Sequence, residues 1–475
     1  MKIKRFLQTA FVFLAGNMLS KLISFFLLPL YTSQIAPEQY GTYDLVMSFI
    51  NLVAPIAFLQ IWDGMFRFAF DYKNNEDKQT VIGNAWWVML LGVIVYGLMF
   101  CGLNFFYHFD YFGYVLVYGF AYALHYVYTY AARVFLKNKL FVFSGVANTL
   151  CTALLNILLI VGFGWDIKAI YVAATIGSVL QMVIIEWKVG VIRHFRPKNA
   201  DKNLIKAMIR FSVPLCIATI SYWLLSGFTK VVITENLGAA ENGLYAVANR
   251  FASMITLVVS VIQFAWNETA YLMADDQNRT SGYRVCIDLM IKAVCFGTAI
   301  LCLGIKVIFP WFVDEQYSQA LWLIPCTLIG VGANALAGFY GTLFMTEKKT
   351  NFILISTLIA AAVNLAFTGV ATRYFGLLGA VSVLAASFIL LMLLRLLKLC
   401  KEHSIRLDVS HFVLLPLVIV VAVAVFYFVE SVLLLLAVCV LFAALFLISV
   451  ANFLKIYLQR FSKRGLNDET DKTDL

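Results

Sequence analysis

The sequence comprises 475 residues, of which 62% are hydrophobic and only 13% charged, with a formal net charge of +10. A water-soluble domain carries roughly 25% charged residues, so this composition excludes an ordinary soluble protein. The charges concentrate in short gaps between apolar runs of about 20 residues, the length at which a helix crosses a ~30 Å hydrocarbon core. These runs lack the strict alternation over ~10-residue units that a membrane β-barrel requires. The composition therefore predicts an all-α polytopic membrane protein.

The N-terminal segment combines Lys2, Lys4 and Arg5 with an apolar stretch that continues to Tyr31. A cleavable secretion signal has an apolar region of only ~7–15 residues, followed by a small-residue cleavage site. The stretch here is longer, and no Ala-x-Ala-like site follows it. We therefore interpret it as a retained first membrane helix.

Hydropathy along the chain predicts fourteen membrane spans in three groups. Residues 1–200 form an N-terminal six-helix bundle and residues 201–400 a C-terminal six-helix bundle. Residues 401–456 carry two further spans, and residues 457–475 form a polar cytoplasmic tail. In chain order the predicted spans are 7–31, 42–62, 81–104, 111–132, 141–163, 169–187, 209–234, 243–266, 286–309, 319–345, 352–371, 376–394, 412–429 and 432–454.

Lysine and arginine are distributed very unequally between the two sides of this topology. With the N-terminus inside, 30 of the 36 lie in or beside inner segments, and three lie in outer loops, namely Lys168, Lys306 and Arg373. This bias places both termini in the cytoplasm. The net charge thus reflects membrane topology and gives no reason to expect nucleic acid as a partner, whereas the basic segment 193–210 is suited to anionic lipid headgroups.

Cysteines and histidines form no chemical motif in this sequence. None of the nine cysteines belongs to a Cys-x-x-Cys pair, and the five histidines lack metal-ligand spacing. We therefore expect no metal, no cofactor and no catalytic residue.

Two sequence matches indicate that the two six-span groups are repeats. The segment EQYGTYDLVMSF resembles ENGLYAVANRF, with Gly41 aligned to Gly243 at an offset of 202 residues. Asn156 in span five matches Asn364 in span eleven at an offset of 208. Because six spans return the chain to the same side of the membrane, we expect parallel repeats related by a pseudo-two-fold axis along the membrane normal.

Polar residues follow helical spacing in four spans that occupy equivalent places in the two halves. The longest stripe, in span eight, has intervals of 4, 3, 4 and 3 residues. Small polar side chains also join helices by packing and hydrogen bonds, but such stripes on equivalent spans favour a water-lined cavity. The predicted lining residues are Asn17 and Ser24 in span one, Asp44, Ser48 and Asn51 in span two, Thr219 and Ser226 in span seven, and Asn249, Ser253, Thr256, Ser260 and Gln263 in span eight.

Three cations lie within predicted spans, namely Lys21, Lys230 and Arg250. Each costs about 2.5–3.5 kcal/mol on insertion scales unless it faces water or a partner. A purely structural interpretation pairs Lys21 with Asp44, the one obvious acid within a span, and lets the other two cations reach the interface. The functional interpretation is a central cavity that binds an anion such as a phosphate or diphosphate group.

Span four carries Tyr118, Tyr122 and His125 at helical spacing. Aromatic rings with hydroxyl groups offer a sugar an apolar platform together with hydrogen bonds. Aromatic stripes are also typical of packed cores, so a glycan-facing surface and a packed core both stay open. We expect His125 itself to be a hydrogen-bonded core histidine.

Several motifs carry a resemblance to a known family. LLPLYTSQIAPEQYGTYDLV at 27–46, RFSVPL at 210–215, NLGAAENGLYAVANRFASMI at 236–255 and FGLLGAV at 375–381 are the matching segments. They resemble the signatures of polysaccharide-type flippases, the O-antigen (Wzx-like) branch of the multidrug/oligosaccharidyl-lipid/polysaccharide exporter superfamily. The first-half counterpart of the last motif, DIKAIYVAA at 166–174, departs from the Gly-rich form of the family.

The resemblance implies two six-helix bundles that form a V around a cationic cavity and work by alternating access, without covalent chemistry. The usual substrate of the family is an undecaprenyl-diphosphate-linked oligosaccharide, a repeat unit of lipopolysaccharide or capsule. On this basis Lys21, Lys230 and Arg250 are expected to bind the diphosphate in the bacterial cytoplasmic (inner) membrane. Membrane lipids, a polysaccharide polymerase and chain-length machinery are the expected partners, and coupling to a proton or sodium ion through Asp44 or Asp63 stays open.

Two other functions stay open at this point. A drug/cation antiporter of the same superfamily would need carboxylates within the membrane and few buried cations, which is opposite to the charge balance here. A membrane-embedded polysaccharide polymerase or glycosyltransferase would need paired acids and long outer loops, whereas the outer loops of this chain are short.

The predicted topology can be tested by site-directed labelling. Sites at both termini, at residue 200 and at residue 403 should react only from the cytoplasm, and sites at residues 36 and 239 only from outside, because the charge asymmetry sets the orientation. Engineered cysteines labelled with a membrane-impermeant maleimide measure this. An outside signal at residue 200 would exclude the six-plus-six arrangement.

Overall fold

A computed structural model describes residues 15–194, 200–260, 262–263, 279–346, 349–405 and 413–470. These residues form helices joined by turns, and no strand occurs among them. A π-helical turn, Leu158–Gly162, directly follows the helix Asn138–Ile157, and a 3₁₀ segment, Glu315–Leu323, precedes the helix Ile324–Thr346. In chain order the helices are α1 (15–26), α2 (Leu28–Gln34), α3 (Pro37–Ala57), α4 (Ile61–Ala69), α5 (Asn75–Tyr107), α6 (Phe112–Val134), α7 (Asn138–Ile157), α8 (Lys168–Val189), α9 (Lys202–Leu237), α10 (Ala239–Ala252), α11 (255–260), α12 (Arg279–Phe312), α13 (Ile324–Thr346), α14 (Thr350–Glu402), α15 (Leu414–Phe428) and α16 (Val432–Thr470).

Helices of membrane-spanning length dominate this part of the chain. Nine of the described helices are long and apolar enough to cross a bilayer, or ten if the bent pair α3–α4 counts as one span. One of the nine, α14, contains two predicted spans, which are separated at Gly376 by a φ of 60° that favours glycine. Of the remaining predicted spans, the described part of the first coincides with α1–α2, and the other two coincide with α6 and α15. The prediction of an all-α polytopic membrane protein is confirmed.

Span two differs from the continuous segment predicted at 42–62. Pro55 lies inside α3, and Leu59 and Gln60 both adopt positive φ angles, of 51° and 47°. Proline removes a backbone donor from the helix, and the two left-handed residues end the helical path. As a result α4 continues at an angle of 53° to α3, and Gln60 occupies a position that helical spacing does not predict.

The two repeat glycines bring the halves of the protein into direct backbone contact. A Cβ atom added to Gly41 would lie 1.8 Å from the carbonyl oxygen of Ala239, and one added to Gly243 would lie 2.1 Å from that of Pro37. Ala239 follows Pro37 by 202 residues, the same offset that relates the glycines. The two contacts are therefore equivalent under the repeat, as expected if α3 and α10 cross on the predicted pseudo-two-fold axis.

The second sequence match also has equivalent surroundings in the two halves. Asn156 on α7 donates from Nδ2 to the hydroxyl of Tyr31 on α2, at 3.0 Å. Asn364 on α14 donates from Nδ2 to the hydroxyl of Thr229 on α9, also at 3.0 Å. Both asparagines are fully buried, and each joins the fifth span of its half to the first. This correspondence is the one expected for parallel repeats.

Two cations that the topology places at the membrane edges have specific structural partners. Lys306 on α12 donates from Nζ to the carbonyl oxygen of Val429 at 2.9 Å, which attaches α12 to the end of α15. Arg395 is only 6% exposed. Its guanidinium donates to the carbonyl of Ala337 at 2.7 Å and to the hydroxyl of Thr357 at 2.9 Å. Arg395 therefore joins α13 to two parts of α14.

Substitution of the repeat glycines tests the crossing of α3 and α10. Gly41→Ala and Gly243→Ala should each destabilise the protein by about 1–3 kcal/mol, because the added methyl group overpacks a backbone contact. The apparent unfolding temperature of the purified protein in detergent measures the effect.

Gly102→Ala is the matched control for both variants. Gly102 lies in α5, and an added Cβ would meet no atom within 4 Å, so this change should be neutral or slightly stabilising. Equal unfolding temperatures for all three variants would contradict the close crossing.

Candidate functional site: two cavities between the halves

A polar cavity of about 480 Å³ lies between the halves of the protein. Its walls come from α3, α4 and α6 of the first half and from α9 of the second. We call it the aromatic cavity because six of its lining residues are tyrosine or tryptophan. The complete lining is Ser48, Asn51, Pro55, Gln60, Trp62, Asp63, Tyr122, Tyr126, Tyr130, Thr219, Tyr222, Trp223, Ser226, Gly227 and Lys230.

Ring contacts and hydrogen bonds hold the aromatic side chains of this cavity in place. Trp62 stacks on Tyr126, with ring centroids 5.0 Å apart and an interplanar angle of 19°. The hydroxyl of Tyr122 donates to Oδ1 of Asn51 at 2.6 Å. The indole of Trp223 donates to the hydroxyl of Ser48, on the opposite wall, at 3.0 Å. The cavity thus presents ordered aromatic faces beside amide and hydroxyl groups.

An ion pair neutralises the lysine of the aromatic cavity. Nζ of Lys230 lies 2.8 Å from the carboxylate of Asp44, and the two side chains are 17% and 21% exposed. Asp44 therefore pairs with Lys230 across the interface of the halves, and the structural interpretation that paired it with Lys21 is wrong. Because its charge is compensated, Lys230 is less available to an anionic ligand than an isolated cation would be.

A second cavity, of about 330 Å³, lies between α1 and the α10–α11 segment. It contains Lys21 and Arg250, and none of the described residues that line it is acidic. Nζ of Lys21 donates to the hydroxyl of Thr256 at 3.4 Å, which is a long contact. We call this the cationic cavity; its other lining residues are Ser20, Leu22, Ser24, Phe25, Ser253, Met254 and Leu257.

Three tyrosines of α2 and α3 surround the arginine of the cationic cavity. The guanidinium of Arg250 lies beside Tyr31, Tyr40 and Tyr43, while Tyr43 also lies close to Asp44. The three predicted cations are divided between the two cavities. Lys21 and Arg250 face one cavity, whereas Lys230 faces the other.

The predicted stripe on span eight is interrupted by the turn between α10 and α11. Because α10 ends at Ala252, the residues on either side of the turn do not share one helical register. Asn249 faces a small cavity of about 20 Å³ inside the second half, and the Ser260 hydroxyl bonds to its own helix. Neither Gln263 nor Asn17, which lies on α1, lines the aromatic cavity or the cationic cavity.

The three predicted residues of span four have different surroundings. Tyr122 lines the aromatic cavity. Tyr118 is buried in the core and packs against Tyr122 and Tyr171. Nε2 of His125 lies 2.8 Å from Oε1 of Gln181, so this histidine is hydrogen-bonded within the first half.

Some lining residues of the aromatic cavity escaped the prediction. Tyr126 and Tyr130 follow Tyr122 at four-residue intervals, so helical spacing could have identified both. Gln60 and Asp63 lie at or after the break in span two, where the helical register of α3 no longer applies. No pattern in the sequence marks that break beyond Pro55.

Helices of membrane-spanning length around cavities with charged and polar linings are typical of membrane transporters. Within this class the chain belongs to the polysaccharide biosynthesis protein family, whose model matches residues 6–266. No significant relative was found among curated proteins.

The fold is similar to those of several solved membrane transporters. An inward-facing MATE family multidrug resistance transporter of the MOP superfamily aligns with a TM-score of 0.65 and 14% identity, over 83% of this chain and 98% of that one. The lipid II flippase MurJ, in an inward closed conformation, gives a TM-score of 0.65 and 14% identity over 91% and 97%. The bent form of the Vibrio cholerae MATE transporter VcmN gives 0.54 and 16% over 84% and 97%.

A double-mutant cycle tests the pairing of Lys230 with Asp44. Lys230→Met and Asp44→Asn should each lower stability by about 1–3 kcal/mol, because each leaves a half-buried partner unpaired. The double variant should recover most of that loss. The measurement is the apparent free energy of unfolding of the four proteins in one detergent.

The exposed pair Arg67–Asp71 provides the control cycle. Its side chains are 55% and 51% exposed, so its coupling energy should lie near zero. A Lys230–Asp44 coupling no larger than this would exclude a functional ion pair across the interface.

Proposed function

We propose that the protein is a flippase that moves an undecaprenyl-diphosphate-linked oligosaccharide across the bacterial cytoplasmic membrane by alternating access. The observation that carries the proposal is the cationic cavity, where Lys21 and Arg250 face one space from opposite halves of the protein. Cations unpaired within the membrane are costly, and a diphosphate would compensate both of them.

Phosphate recognition by these two residues has a clear chemical basis. The guanidinium of Arg250 offers a planar fork of donors, and the ammonium of Lys21 a mobile point charge. Charge-assisted hydrogen bonds to phosphate oxygens are about twice as strong as neutral ones. Ser253 and Thr256 add hydroxyl groups on the same wall.

The aromatic cavity would accommodate the sugars of the same substrate. Tyr126 and Tyr222 supply aromatic faces, and Asn51 and Thr219 supply hydrogen-bonding groups. A polyprenyl tail, which is as apolar as the lipid around it, can stay in the bilayer. Only the polar part of the substrate then needs a path through the protein.

The halves are held together at their outer ends, which favours access from the cytoplasm in this conformation. Besides the glycine crossing, the 3₁₀ segment before α13 reaches the first outer turn. Nε2 of Gln316 donates to the backbone carbonyl of Thr32 at 2.6 Å, and the Tyr317 hydroxyl donates to the backbone carbonyl of Ile35 at 2.9 Å. Alternating access requires these contacts to separate when the substrate is released.

Export of organic cations is the second candidate, because the likeness to MATE transporters is as high as that to the flippase. A drug/cation antiporter needs accessible carboxylates, and Asp63 lines the aromatic cavity. The cationic cavity argues against this function, since it would repel such substrates.

Complementation of a flippase-deficient strain tests the proposal. Lys21→Gln and Arg250→Gln should each lower glycan export about tenfold, since each removes charge-assisted bonds worth about 1.5–3 kcal/mol. Arg250→Lys should retain part of the activity if charge alone is required. The readout is surface glycan relative to the amount of protein in the membrane.

Lys139→Gln is the control for loss of a positive charge. Lys139 is exposed near the start of α7, away from both cavities, and its variant should export normally. Normal export by both Lys21→Gln and Arg250→Gln would overturn the assignment of the cationic cavity. Drug resistance conferred by the wild type in place of glycan export would favour the antiporter.

A further inference from the structure

The two cavities differ sharply in charge. The described residues that line the aromatic cavity include one carboxylate, Asp63, and one cation, Lys230. The charge of Lys230 is compensated by Asp44 at 2.8 Å. The cationic cavity, by contrast, contains Lys21 and Arg250 and has no acidic residue in its described lining. Free positive charge is therefore confined to one of the two spaces.

The surroundings of Asp63 do not reverse this charge balance. Tyr130 and Arg133 lie close to the Asp63 carboxylate, but the guanidinium of Arg133 lies over the rings of Phe66 and Tyr130, at 4.7 and 5.4 Å from their centroids. Arg133 does not line the cavity. Asp44, Asp63, Arg133 and Lys230 contribute two formal negative and two formal positive charges. Of the two charged residue types in the described lining, Asp63 is the one without an ion pair within 4 Å.

Neutral sugars match this environment. The apolar face of a hexose can stack on an accessible ring such as that of Tyr222, which is 45% exposed. Its hydroxyls can bond to side chains such as Asn51, Gln60 and Thr219. The carboxylate of a uronic acid would lose water without gaining a free cation, and burial of an unpaired charge is unfavourable. It would also be repelled by Asp63.

We infer that the aromatic cavity selects glycans whose sugars near the diphosphate are uncharged or carry an amino group, with Asp63 as the residue that discriminates against acidic sugars. The inference rests on the proposed function, because it assumes that the diphosphate occupies the cationic cavity. The inference goes beyond the proposed function by specifying the charge of the glycan, which follows from the difference in charge between the two cavities.

Transport of two matched substrates tests the inference. The full-length protein is reconstituted in liposomes with undecaprenyl-diphosphate trisaccharides that differ only in glucose or glucuronic acid at the second sugar. The appearance of glycan on the far leaflet is followed with a membrane-impermeant glycosidase. The glucose substrate should move about fivefold faster, the factor expected for one like-charge repulsion in a wet cavity.

Charge variants of the cavity wall then test whether Asp63 causes the preference for the glucose substrate. Asp63→Asn should narrow the ratio of the two rates towards one by accelerating the glucuronic acid substrate. Ser226→Lys, which adds a cation one turn before Lys230, should do the same if Asp63→Asn fails to fold. Asp71→Asn is the matched control, because Asp71 lies beyond the end of α4 and bonds to Arg67 outside the cavity.

The outcomes separate this inference from the proposed function. Equal rates for the two substrates, or faster transport of the glucuronic acid substrate, would overturn the inference while the flippase activity stands. An unchanged ratio in both Asp63→Asn and Ser226→Lys would overturn the role of the cavity wall. Transport of neither substrate by the wild type would count against the flippase function itself.

Discussion

The crossing of α3 and α10 at Gly41 and Gly243 determines where the other parts of this protein lie. Two helices approach so closely only where neither carries a side chain at the contact, and here each glycine meets a backbone carbonyl of the other helix. Asp44 lies three residues after Gly41, and Arg250 seven after Gly243. Both charges are therefore held just inside the crossing, next to the interface of the halves.

The cations of the membrane region illustrate three ways of meeting the cost of a charge in a low-dielectric medium. Arg395 is buried and satisfied by carbonyl and hydroxyl acceptors. Lys230 forms an ion pair with an acid from the other half. Lys21 and Arg250 open into a cavity instead. Only the third arrangement leaves positive charge available to a ligand, because in the first two the protein itself supplies the compensation.

Separation of a charged from an aromatic space suits a substrate with two different polar parts. A diphosphate needs localised positive charge, whereas an oligosaccharide needs flat apolar faces with many weak donors and acceptors. A single mixed cavity would place the lysine and arginine beside the acids that balance them, which would weaken both functions. In this protein Arg250 lies beside Tyr31, Tyr40 and Tyr43, whereas Asp44 forms its ion pair with Lys230.

Much of the architecture follows from the sequence because a bilayer constrains sequence directly. The length of apolar runs determines the helices, and the glycine and asparagine matches mark a repeat in the sequence itself. Ser48, Asn51, Thr219 and Ser226, which helical spacing puts on polar faces, line the aromatic cavity, and Ser24, Ser253 and Thr256 line the cationic cavity. Spacing is informative for Ser48 with Asn51 and for Thr219 with Ser226, because each pair shares a face of one regular helix.

What the sequence determined by itself is thus the class of protein, the helices, the repeat and the polar faces. The tertiary structure alone decided which charges meet. Asp44 pairs with Lys230 across 186 residues of chain, and Lys21 and Arg250 share a cavity although they belong to different halves. Local pattern cannot specify such partners, because periodicity reports which face of a helix a residue occupies but not which helix lies opposite. The turns at 58–60 and 253–254 also limit prediction from the sequence, because the helical register before each turn does not continue after it.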